Sequence, residues 1–318
     1  MISRRTWIAA GVGGIGAALW ARRPHQLVTS PRKVAVLKAS SYSLNLENLI
    51  ARGMAECGID VRGLRVLVKP NLVEFSTTAP VHTEAAILAS CVNALEAGGA
   101  QQVLIGEGPG HRRDTLGMAE CAGYRQAVGN FEDRFTDLNL DDVSMVPDFA
   151  GQSPFYFPNT ALRVDLIVSL AKMKTHHWAG ATLSMKNLFG LVPGNVYGWP
   201  KNRLHFIGID AAITNLYKAF PKTVGIVDGI VGMEGNGPIQ GHSRRSGVVV
   251  VGRDLVAVDA TCCRLMGINP EQLGYLSASV LQGSSAEGAI LQVGEAWRPL
   301  RQNYDLIPSL RHLRLSNV

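Results

Sequence analysis

The stretch LRVLVKPNLVEFSTTAPVHTEAAILASCVNALEAGGAQQVLIGEGPG, residues 64–110, holds a strand, a helix and a second strand in succession. Leu64–Val68 is a short apolar run typical of a buried strand, and Gln102–Ile105 is a second one. Between them, Thr83–Ala97 shows the spacing of apolar residues that is typical of a helix. This order predicts two parallel strands joined by a helix, which is the building unit of an α/β fold.

The same alternation continues on both sides of this stretch. Lys33–Lys38 is predicted to be a strand, Leu46–Cys57 a helix and Val164–Leu170 a central strand. The other predicted elements are helices at Thr115–Cys121, Ile207–Phe220 and Asp254–Met266, strands at Thr223–Val227 and Val248–Val251, antiparallel pieces at Val143–Val146 and Phe155–Phe157, and long loops at 171–206 and Gly229–Gly241. We therefore expect an α/β fold with a mostly parallel sheet, helices on both faces and a Rossmann-like first half.

The chain divides into a leader and one globular unit. Residues 1–30 are predicted to be a signal and linker, and residues 31–318 one α/β domain. Within that domain we expect two closely joined lobes, about 31–130 and about 160–318. With 47% apolar and only 18% charged residues, the 318-residue chain can bury a sizeable core and is not expected to be disordered.

The positive charge belongs mostly to the leader. The net charge of the whole chain is +6, and residues 1–30 contribute four arginines and no acidic residue. The rest of the chain has 27 basic and 25 acidic residues. A basic run interleaved with aromatic residues is missing from the rest of the sequence. Both observations argue against a nucleic-acid-binding protein.

The leader has the pattern of a twin-arginine export signal. Arg4 and Arg5 precede 16 uncharged residues, which end at Arg22. A membrane-spanning helix needs about 20 apolar residues, so this run fits a signal segment better than a permanent anchor. The paired arginines predict export by the Tat route to the periplasm or another extracytoplasmic space. An ordinary short signal anchor is the alternative, and a leader that stays uncleaved as a membrane tether remains open.

The cysteines do not form a recognisable metal motif. Their number is odd and no pair has the C-x-x-C spacing, so neither an iron–sulfur cluster nor a zinc cage held by cysteine is expected. The five positions are Cys57, Cys91, Cys121, Cys262 and Cys263. Most of these fall in predicted helices and are expected to pack as small apolar residues.

Polar residues gather where four predicted strands end. Ligands of open α/β sheets bind beyond the carboxyl ends of the strands, so this edge is the expected site. The residues there are Lys69, Asn71 and Glu74; Glu107, His111, Arg112 and Arg113; Lys172, Lys174, His176, His177, Lys186, Asn187 and His205; and Asp228 and Glu234. Within this group, three of the lysines and three histidines lie between 172 and 205, and they indicate a site for a small anion.

Three features within this group have more than one interpretation. Lys172-x-Lys174-x-His176 alternates, so its side chains share one face of an extended segment, either around an anion or as a solvated basic edge. Lys186 is flanked by apolar residues, so it either extends to solvent or is held in a site as a base or nucleophile with a lowered pKa. His205 is either structural or, with His176, a metal ligand or acid/base group.

Several motifs together resemble the domain-of-unknown-function 362 family. They are Lys69-Pro70-Asn71, Lys174-Thr175-His176, Lys186-Asn187-Leu188-Phe189-Gly190, Glu234-Gly235-x-Gly237-Pro238 and Asp259. The resemblance covers nearly the whole chain after the leader. Some relatives in that family add a ferredoxin-like cysteine cluster, which this sequence lacks.

A more distant similarity concerns the nickel-pincer lactate racemase family. Gly110-His111-Arg112, His176, Lys186 and Pro193-Gly194 carry it. The resemblance implies His111 and His176 as an acid/base pair, Lys186 as the cofactor lysine, His205 as a metal ligand and Lys69 in place of a substrate-binding arginine. The paired glycines that precede the family's lysine are Leu183-Ser184 or Ser184-Met185 here.

These observations predict an exported enzyme that acts on a small anionic substrate, such as a hydroxy or sugar acid. His111, His176 and Lys186 are its predicted catalytic residues, and His205 is a possible ligand of a transition metal. The predicted substrate-binding residues are Lys69, Asn71, Lys172, Lys174 and Asn187. Isomerisation or redox chemistry is expected. The alternatives are a non-catalytic anion-binding protein and an accessory subunit of an exported redox complex. The expected partners are the small anion and the Tat machinery.

Overall fold

The computed structural model of the protein describes residues 32–278 and 285–316. The predicted leader, residues 1–30, lies outside the described residues, so the twin-arginine signal and the export route stay predictions. Among the described residues, no helix combines the length and the apolar character that crossing a membrane requires.

A mixed sheet of nine strands forms the centre of the described part of the chain, in the order β11-β1-β10-β9-β7-β2-β3-β4, with β8 paired to β7. The strands are β1 (Arg32–Lys38), β2 (Arg65–Pro70), β3 (Gln102–Glu107), β4 (Phe135–Asp137), β7 (Leu166–His176), β8 (Gly180–Thr182), β9 (Thr223–Asn236), β10 (Gln240–Gly252) and β11 (Ile290–Gly294). A separate antiparallel pair consists of β5 (Val143–Val146) and β6 (Phe155–Pro158). That pair confirms the antiparallel pieces predicted at these positions.

The pairing directions confirm a mostly parallel sheet. Strands β9, β7, β2, β3 and β4 are parallel neighbours, and β1 is parallel to β11. The pairs β1–β10, β10–β9 and β7–β8 are antiparallel. Central strands covered on both faces are expected to be apolar throughout, and Val66, Leu67 and Val68 of β2 are indeed completely buried.

Helices cover both faces of the sheet. They are α1 (Leu46–Glu56), α2 (Ala85–Ala97), α3 (Thr115–Cys121), α4 (Tyr124–Ala127), α5 (Phe131–Arg134), α6 (Asn159–Arg163), α7 (Ser184–Asn187), α8 (Gly194–Tyr197), α9 (Asn202–Ile207), α10 (Ile209–Ala219), α11 (Leu255–Leu265), α12 (Gly274–Ser277) and α13 (Trp297–Leu300). Short 3₁₀ turns lie at Leu188–Leu191, Pro270–Gln272, Glu287–Ala289 and Pro308–Leu313. Asn45, Asp114 and Asp254 cap α1, α3 and α11 by accepting a backbone N–H with the side chain.

Two apolar clusters lie on opposite faces of the sheet. Alternate residues of β1 divide between them: Val34 and Val36 belong to one cluster, Ala35 and Leu37 to the other. Strand β1 lies between β10 and β11, so both ends of the described chain contribute to one sheet. The division into two lobes stays a prediction.

The two long predicted loops are wrong in part. Strand β7 continues to His176, and β8 and the short helices α7 to α9 follow within residues 171–206. Residues 229–241 form the ends of β9 and β10 and the turn between them, not a loop. The strand was not predicted beyond Leu170, because the polar side chains of Lys172 and Lys174 suggest a solvated segment. Both are at most 1% exposed, and their polar groups are satisfied inside the protein.

Candidate functional site

A cavity of about 730 Å³ opens beyond the carboxyl ends of β2, β3 and β7. This is the edge of the sheet where a ligand site was expected. Its ionisable lining consists of Lys69, Lys186, Lys201, His111, His176, His177, His205 and Glu107. The cavity is therefore rich in basic groups, and Glu107 is the one carboxylate among its described lining residues.

Lys69 and Glu107 form a buried ion pair at the base of the cavity. Lys69 Nζ donates to Glu107 Oε2 at 2.6 Å, to Pro70 O at 2.9 Å and to Asn187 Oδ1 at 3.1 Å. Burial lowers the pKa of Lys69, and Glu107 opposes that shift. All three N–H groups of Lys69 are used within the protein, so the structure gives this lysine a partner for each donor before any substrate binds.

Lys174 is held by uncharged oxygens. Its Nζ donates to Asn71 Oδ1 and Val81 O, both at 2.7 Å, and to Pro238 O at 3.3 Å. Burial, together with neighbouring lysines, holds the pKa of Lys174 well below its usual range. The side chain does not line the cavity. Lys174 thus joins the β9–β10 turn to the segment after β2.

Lys172 lies in a second buried cluster. Its Nζ is 2.8 Å from Asp228 Oδ2 and 2.9 Å from the Tyr42 hydroxyl, which in turn donates to Asp228 Oδ1 at 3.0 Å. Asp228 is completely buried, and neither it nor Lys172 lines the cavity. The sequence left the roles of Glu107 and Asp228 undecided, and the structure makes each the charge partner of a buried lysine.

The asparagines of the motifs connect these lysines. Asn71 Nδ2 donates to Asn187 Oδ1 at 3.2 Å, and Asn187 Nδ2 donates to Lys69 O and to Ser169 Oγ. Both asparagines line the cavity, but most of their polar atoms face other protein groups. The predicted substrate-binding residues therefore form a connected hydrogen-bond network beneath the cavity, with the exception of Lys172.

Lys186 differs from the other lysines of the cavity. It lies on α7, whose first turn is anchored because Asp259 accepts from the backbone N–H groups of Ser184 and Met185. Lys186 Nζ makes no hydrogen bond or ion pair with any residue of the described chain, and it lies 3.5 Å from the centroid of the Phe189 ring. Burial, assisted by the charge of Lys69, lowers the pKa of Lys186 to about 7.

Lys201 is a cavity lysine that the sequence analysis did not select. Its Nζ donates to Gly108 O and to Phe189 O, which leaves one N–H group for a ligand. Burial lowers its pKa to about 7, although Glu107 opposes the shift. Lys201 lies in the segment that was predicted to be a loop, in left-handed backbone conformation with φ of 64°. A single lysine beside Pro200 gave no signal by which the sequence could have selected it.

The adjacent histidines His176 and His177 are fixed in opposite tautomers. His176 Nδ1 accepts from the backbone N–H groups of Trp178 at 3.1 Å and Ala179 at 3.2 Å, so its proton is on Nε2. His177 Nδ1 lies 2.8 Å from Gly237 O, which can only accept, so the proton of His177 is on Nδ1. The pair offers the cavity one N–H donor, from His176, and one nitrogen lone pair, from His177.

Charge and burial keep His176 neutral. Burial and the nearby charges, Lys186 first among them, lower the pKa of His176 to about 2. Its ring stacks on that of His177, with centroids 4.9 Å apart. In the structure His176 is suited to donate a hydrogen bond, whereas His177 is the better placed base. The sequence places His177 at this edge but does not indicate a catalytic role for it.

His111 and His205 approach the cavity from two other segments. His111 follows β3, and His205 lies on α9. The His205 ring packs edge-on against the Trp178 ring, with the two ring centroids 5.8 Å apart. Burial and then the charge of Lys186 lower the pKa of His205. The cavity thus brings together all three residues predicted to be catalytic, His111, His176 and Lys186, with His205 beside them.

The comparisons with known proteins bear on this arrangement of motifs. The family model described as "Domain of unknown function (DUF362)" matches residues 66–264, which include every motif quoted above. The chain belongs to this family. A curated relative is the "Thylakoid-associated protein sll1697" of Synechocystis sp., 26% identical over 274 residues that cover 82% of each chain.

A solved structure is also similar to this DUF362 chain. It is the lactate racemase apoprotein from Thermoanaerobacterium thermosaccharolyticum, with a TM-score of 0.44 and 14% identity. The match covers 77% of the present chain and 58% of the racemase chain, so the DUF362 chain spans well under two thirds of that protein.

Steric constraints explain why glycine stands at position 190, the end of the DUF362 motif that begins at Lys186. A side-chain carbon at Gly190 would overlap both Glu107 Oε1 and the end of Lys69. A carbon at Gly237, in the motif of the β9–β10 turn, would overlap the backbone oxygen of Thr175. These glycines let backbone pass directly against the buried ion pair and against β7. The family pattern therefore specifies the shape of the cavity base as well as its charges.

Among the described residues, three side chains that could together hold a metal ion do not meet at His205. Within residues 32–278 and 285–316, the one group of three side chains close enough to hold a metal ion is Glu234, His242 and Asp305. None of the three lines the cavity, and Arg244 lies 3.6 Å from Glu234 Oε1, where it competes for that oxygen. The amine of Lys186 does fit a lysine-attached group, and Leu183, Ser184 and Met185 do not line the cavity.

Proposed function

We propose that this protein is an enzyme that binds a small organic acid at Lys186 and transfers a proton on it. One observation carries the proposal: the polar groups that the cavity leaves available are donors and bases. They include the Lys186 amine, the third N–H of Lys201, His176 Nε2–H and His177 Nε2. Glu107 is already paired with Lys69. A carboxylate is the ligand that this set of groups complements.

The lowered pKa values support an anionic ligand. Burial and mutual repulsion shift the pKa values of Lys186, Lys201 and His176 downward, so the cavity without a ligand disfavours their charged forms. A bound carboxylate supplies the missing opposite charge and stabilises the ammonium forms. Binding of an acid is therefore expected to be accompanied by proton uptake.

The two histidines supply the proton-transfer chemistry. His177 Nε2 has the lone pair that can remove a proton from the carbon next to a carboxylate, as in the isomerisation of a hydroxy or sugar acid. His176 Nε2–H can donate to the oxygen on which negative charge develops. His111, on the loop after β3, is the remaining candidate to return the proton. His176 and His177 then each have a single role that the tautomer of the ring allows.

The affinity for an organic acid is expected to fall as pH rises through 7. Below pH 7, Lys186 and Lys201 are protonated in the free protein, so affinity is nearly constant. Above pH 7 each amine must regain a proton on binding, which costs about tenfold in affinity per pH unit for each proton taken up. Calorimetry with 2-hydroxy-4-methylpentanoate between pH 6 and pH 9 measures this slope. Affinity that is independent of pH, or no binding, would count against the site.

An exchange experiment with the same hydroxy acid distinguishes an enzyme from a non-catalytic binding protein. In heavy water, the proton-transfer mechanism exchanges the C2 hydrogen of the hydroxy acid, and nuclear magnetic resonance follows its loss. Exchange that His177→Gln abolishes, with binding retained, supports the enzyme. Binding without any exchange in the parent protein would favour the non-catalytic anion-binding protein instead.

We also propose that the protein is exported by the Tat route, on the basis of Arg4 and Arg5 and the short apolar run after them. The relative's description as thylakoid-associated is compatible with a place at or beyond a membrane. Replacing both arginines by lysine is expected to reduce the exported fraction by about tenfold or more, since the route reads the arginine pair rather than its charge. The matched control is the same double change at Arg22 and Arg23. Export that is unaffected by the Arg4 and Arg5 changes would exclude this route.

A further inference from the structure

The three lysines that line the cavity differ in how their donors are used. Lys69 donates to three protein oxygens and Lys201 to two, whereas Lys186 donates to none within the described chain. A nitrogen lone pair is available for chemistry only when the amine is neutral and not held in a hydrogen-bond network. Lys186 meets the geometric part of this condition, and its near-neutral pKa meets the other.

The surroundings of Lys186 shelter a reactive amine. The Phe189 ring covers one side of Nζ at 3.5 Å. The apolar residues Val73, Ile209, Ile239 and Ile307 line the same cavity. Such walls exclude water from an intermediate and accommodate an apolar group on a ligand.

A further polar group of the cavity lining lacks a partner among the described residues. Thr182 Oγ1 is buried and, within the described residues, makes no hydrogen bond, although Thr182 lines the cavity. A buried hydroxyl without a partner costs free energy, so its place in a cavity points to a ligand that completes its hydrogen bonding. Together with the third N–H of Lys201, it can receive a carboxylate beside Lys186.

We propose that Lys186 forms an imine with the carbonyl carbon of a 2-oxo acid that carries an apolar side chain. The carboxylate binds at Lys201 and Thr182, and the side chain packs against the apolar walls. This inference rests on the proposed function, because it needs the same cavity to receive an organic acid. It adds a covalent step and a substrate class.

The covalent step is balanced without any further reactant. The Lys186 lone pair attacks the carbonyl carbon, and one amine hydrogen passes, by way of His177 Nε2, to the oxygen, which gives a carbinolamine. The nitrogen then forms the C=N double bond as the C–O bond breaks, and the second amine hydrogen leaves with that oxygen. The two hydrogens of the amine and the carbonyl oxygen thus depart as one water molecule. Nothing is oxidised or reduced.

Reduction of the imine gives a direct test. The full-length protein is incubated with 4-methyl-2-oxopentanoate and sodium borohydride, then analysed by intact mass and peptide mapping. Hydride adds to the imine carbon, so the expected product is heavier by the mass of the oxo acid less one oxygen atom. The modification is expected on the peptide that contains Lys186, at near-stoichiometric yield. Exposed Lys218 does not line the cavity and is expected to react at least about tenfold less, because the oxo acid has no binding site beside it.

Matched variants and ligands keep the outcomes distinct. Lys186→Met should give no adduct, and Lys218→Met should react like the parent, with circular dichroism to show that both are folded. The hydroxy acid, which has no carbonyl, should bind and give no adduct. Binding of the hydroxy acid without any adduct from the oxo acid would overturn the imine and leave the anion site standing. Failure of both acids to bind would overturn both proposals, and equal labelling of Lys186 and surface lysines would overturn the imine alone.

Discussion

Replacing Lys186 by methionine is expected to weaken binding of a 2-hydroxy acid by about 10- to 100-fold, because the variant lacks the charge-assisted hydrogen bond to the carboxylate. Methionine keeps most of the volume and the contact with Phe189, so the cavity should retain its shape. Calorimetry at pH 6, where the lysine of the parent is protonated, measures the difference most clearly.

The control for this prediction is Lys218→Met, the same chemical change on the exposed face of α10. It should bind the acid as the parent does. Affinity that is equal in the parent and in Lys186→Met would show that the ligand does not contact this amine. A comparable loss in Lys218→Met would show that the effect is one of net charge.

The Lys186→Met variant should also have a larger free energy of unfolding than the parent, and the difference should depend on pH. The pKa of Lys186 is about 7 in the folded protein and near 10.5 when unfolded, so between these values the unfolded chain binds more protons and stability increases with pH. Below pH 7, Lys186 is protonated in both the folded and the unfolded protein, so the full free-energy cost of burying its charge applies. Lys186→Met should therefore gain on the order of 1 to 3 kcal/mol at pH 6, less than the full pKa shift implies because the side chain is partly exposed, and little above pH 10.

Asp228→Asn is expected to cost about 3 to 5 kcal/mol of the free energy of unfolding, because it leaves the ammonium of Lys172 buried without an opposite charge. The carboxylate of Asp228 also accepts from the Tyr42 hydroxyl and from the backbone N–H groups of Glu84 and Ile230. An amide can replace only part of these acceptors. Chemical denaturation at pH 7 measures the loss.

Two further variants test the cause of this loss. Asp60→Asn removes the acid of an exposed ion pair with Arg62 and should leave the midpoint nearly unchanged. Lys172→Met added to Asp228→Asn should recover much of the stability, since no unpaired charge is then buried. A small effect of Asp228→Asn alone would mean that Lys172 is neutral or solvated in the folded protein.

The fold was predictable where apolar patterns were uninterrupted. The stretch from 64 to 110 gave the β2–α2–β3 unit, and Val143–Val146 with Phe155–Phe157 gave the antiparallel pair. The pattern failed at β7 and in the β9–β10 turn region, where lysine and glycine replace apolar residues. Lys172 and Lys174 are buried because Asp228 and several carbonyl oxygens satisfy them, and these partners are distant in sequence. A local pattern does not contain that information.

The location of the candidate site was predictable, and the division of roles within it was not. Strand ends placed Lys69, His111, His176 and Lys186 at one edge, and the structure brings them to one cavity. Only the three-dimensional contacts show that Lys69 has no donor left, that Lys201 faces the cavity, and that His176 and His177 have opposite tautomers. These features depend on contacts with particular backbone and side-chain groups, which the residue types alone do not specify.

Both proposals require a Lys186 amine that titrates near pH 7 and is open to the cavity. Trace acetylation of the folded protein between pH 5 and pH 11, with mass spectrometry of each lysine peptide, measures it directly. We predict that the reactivity of Lys186 reaches half its maximum near pH 7, well below the ordinary value for a lysine side chain. Half-maximal reactivity of Lys186 near pH 10, the ordinary value for a lysine side chain, or no reaction at any pH, would contradict this.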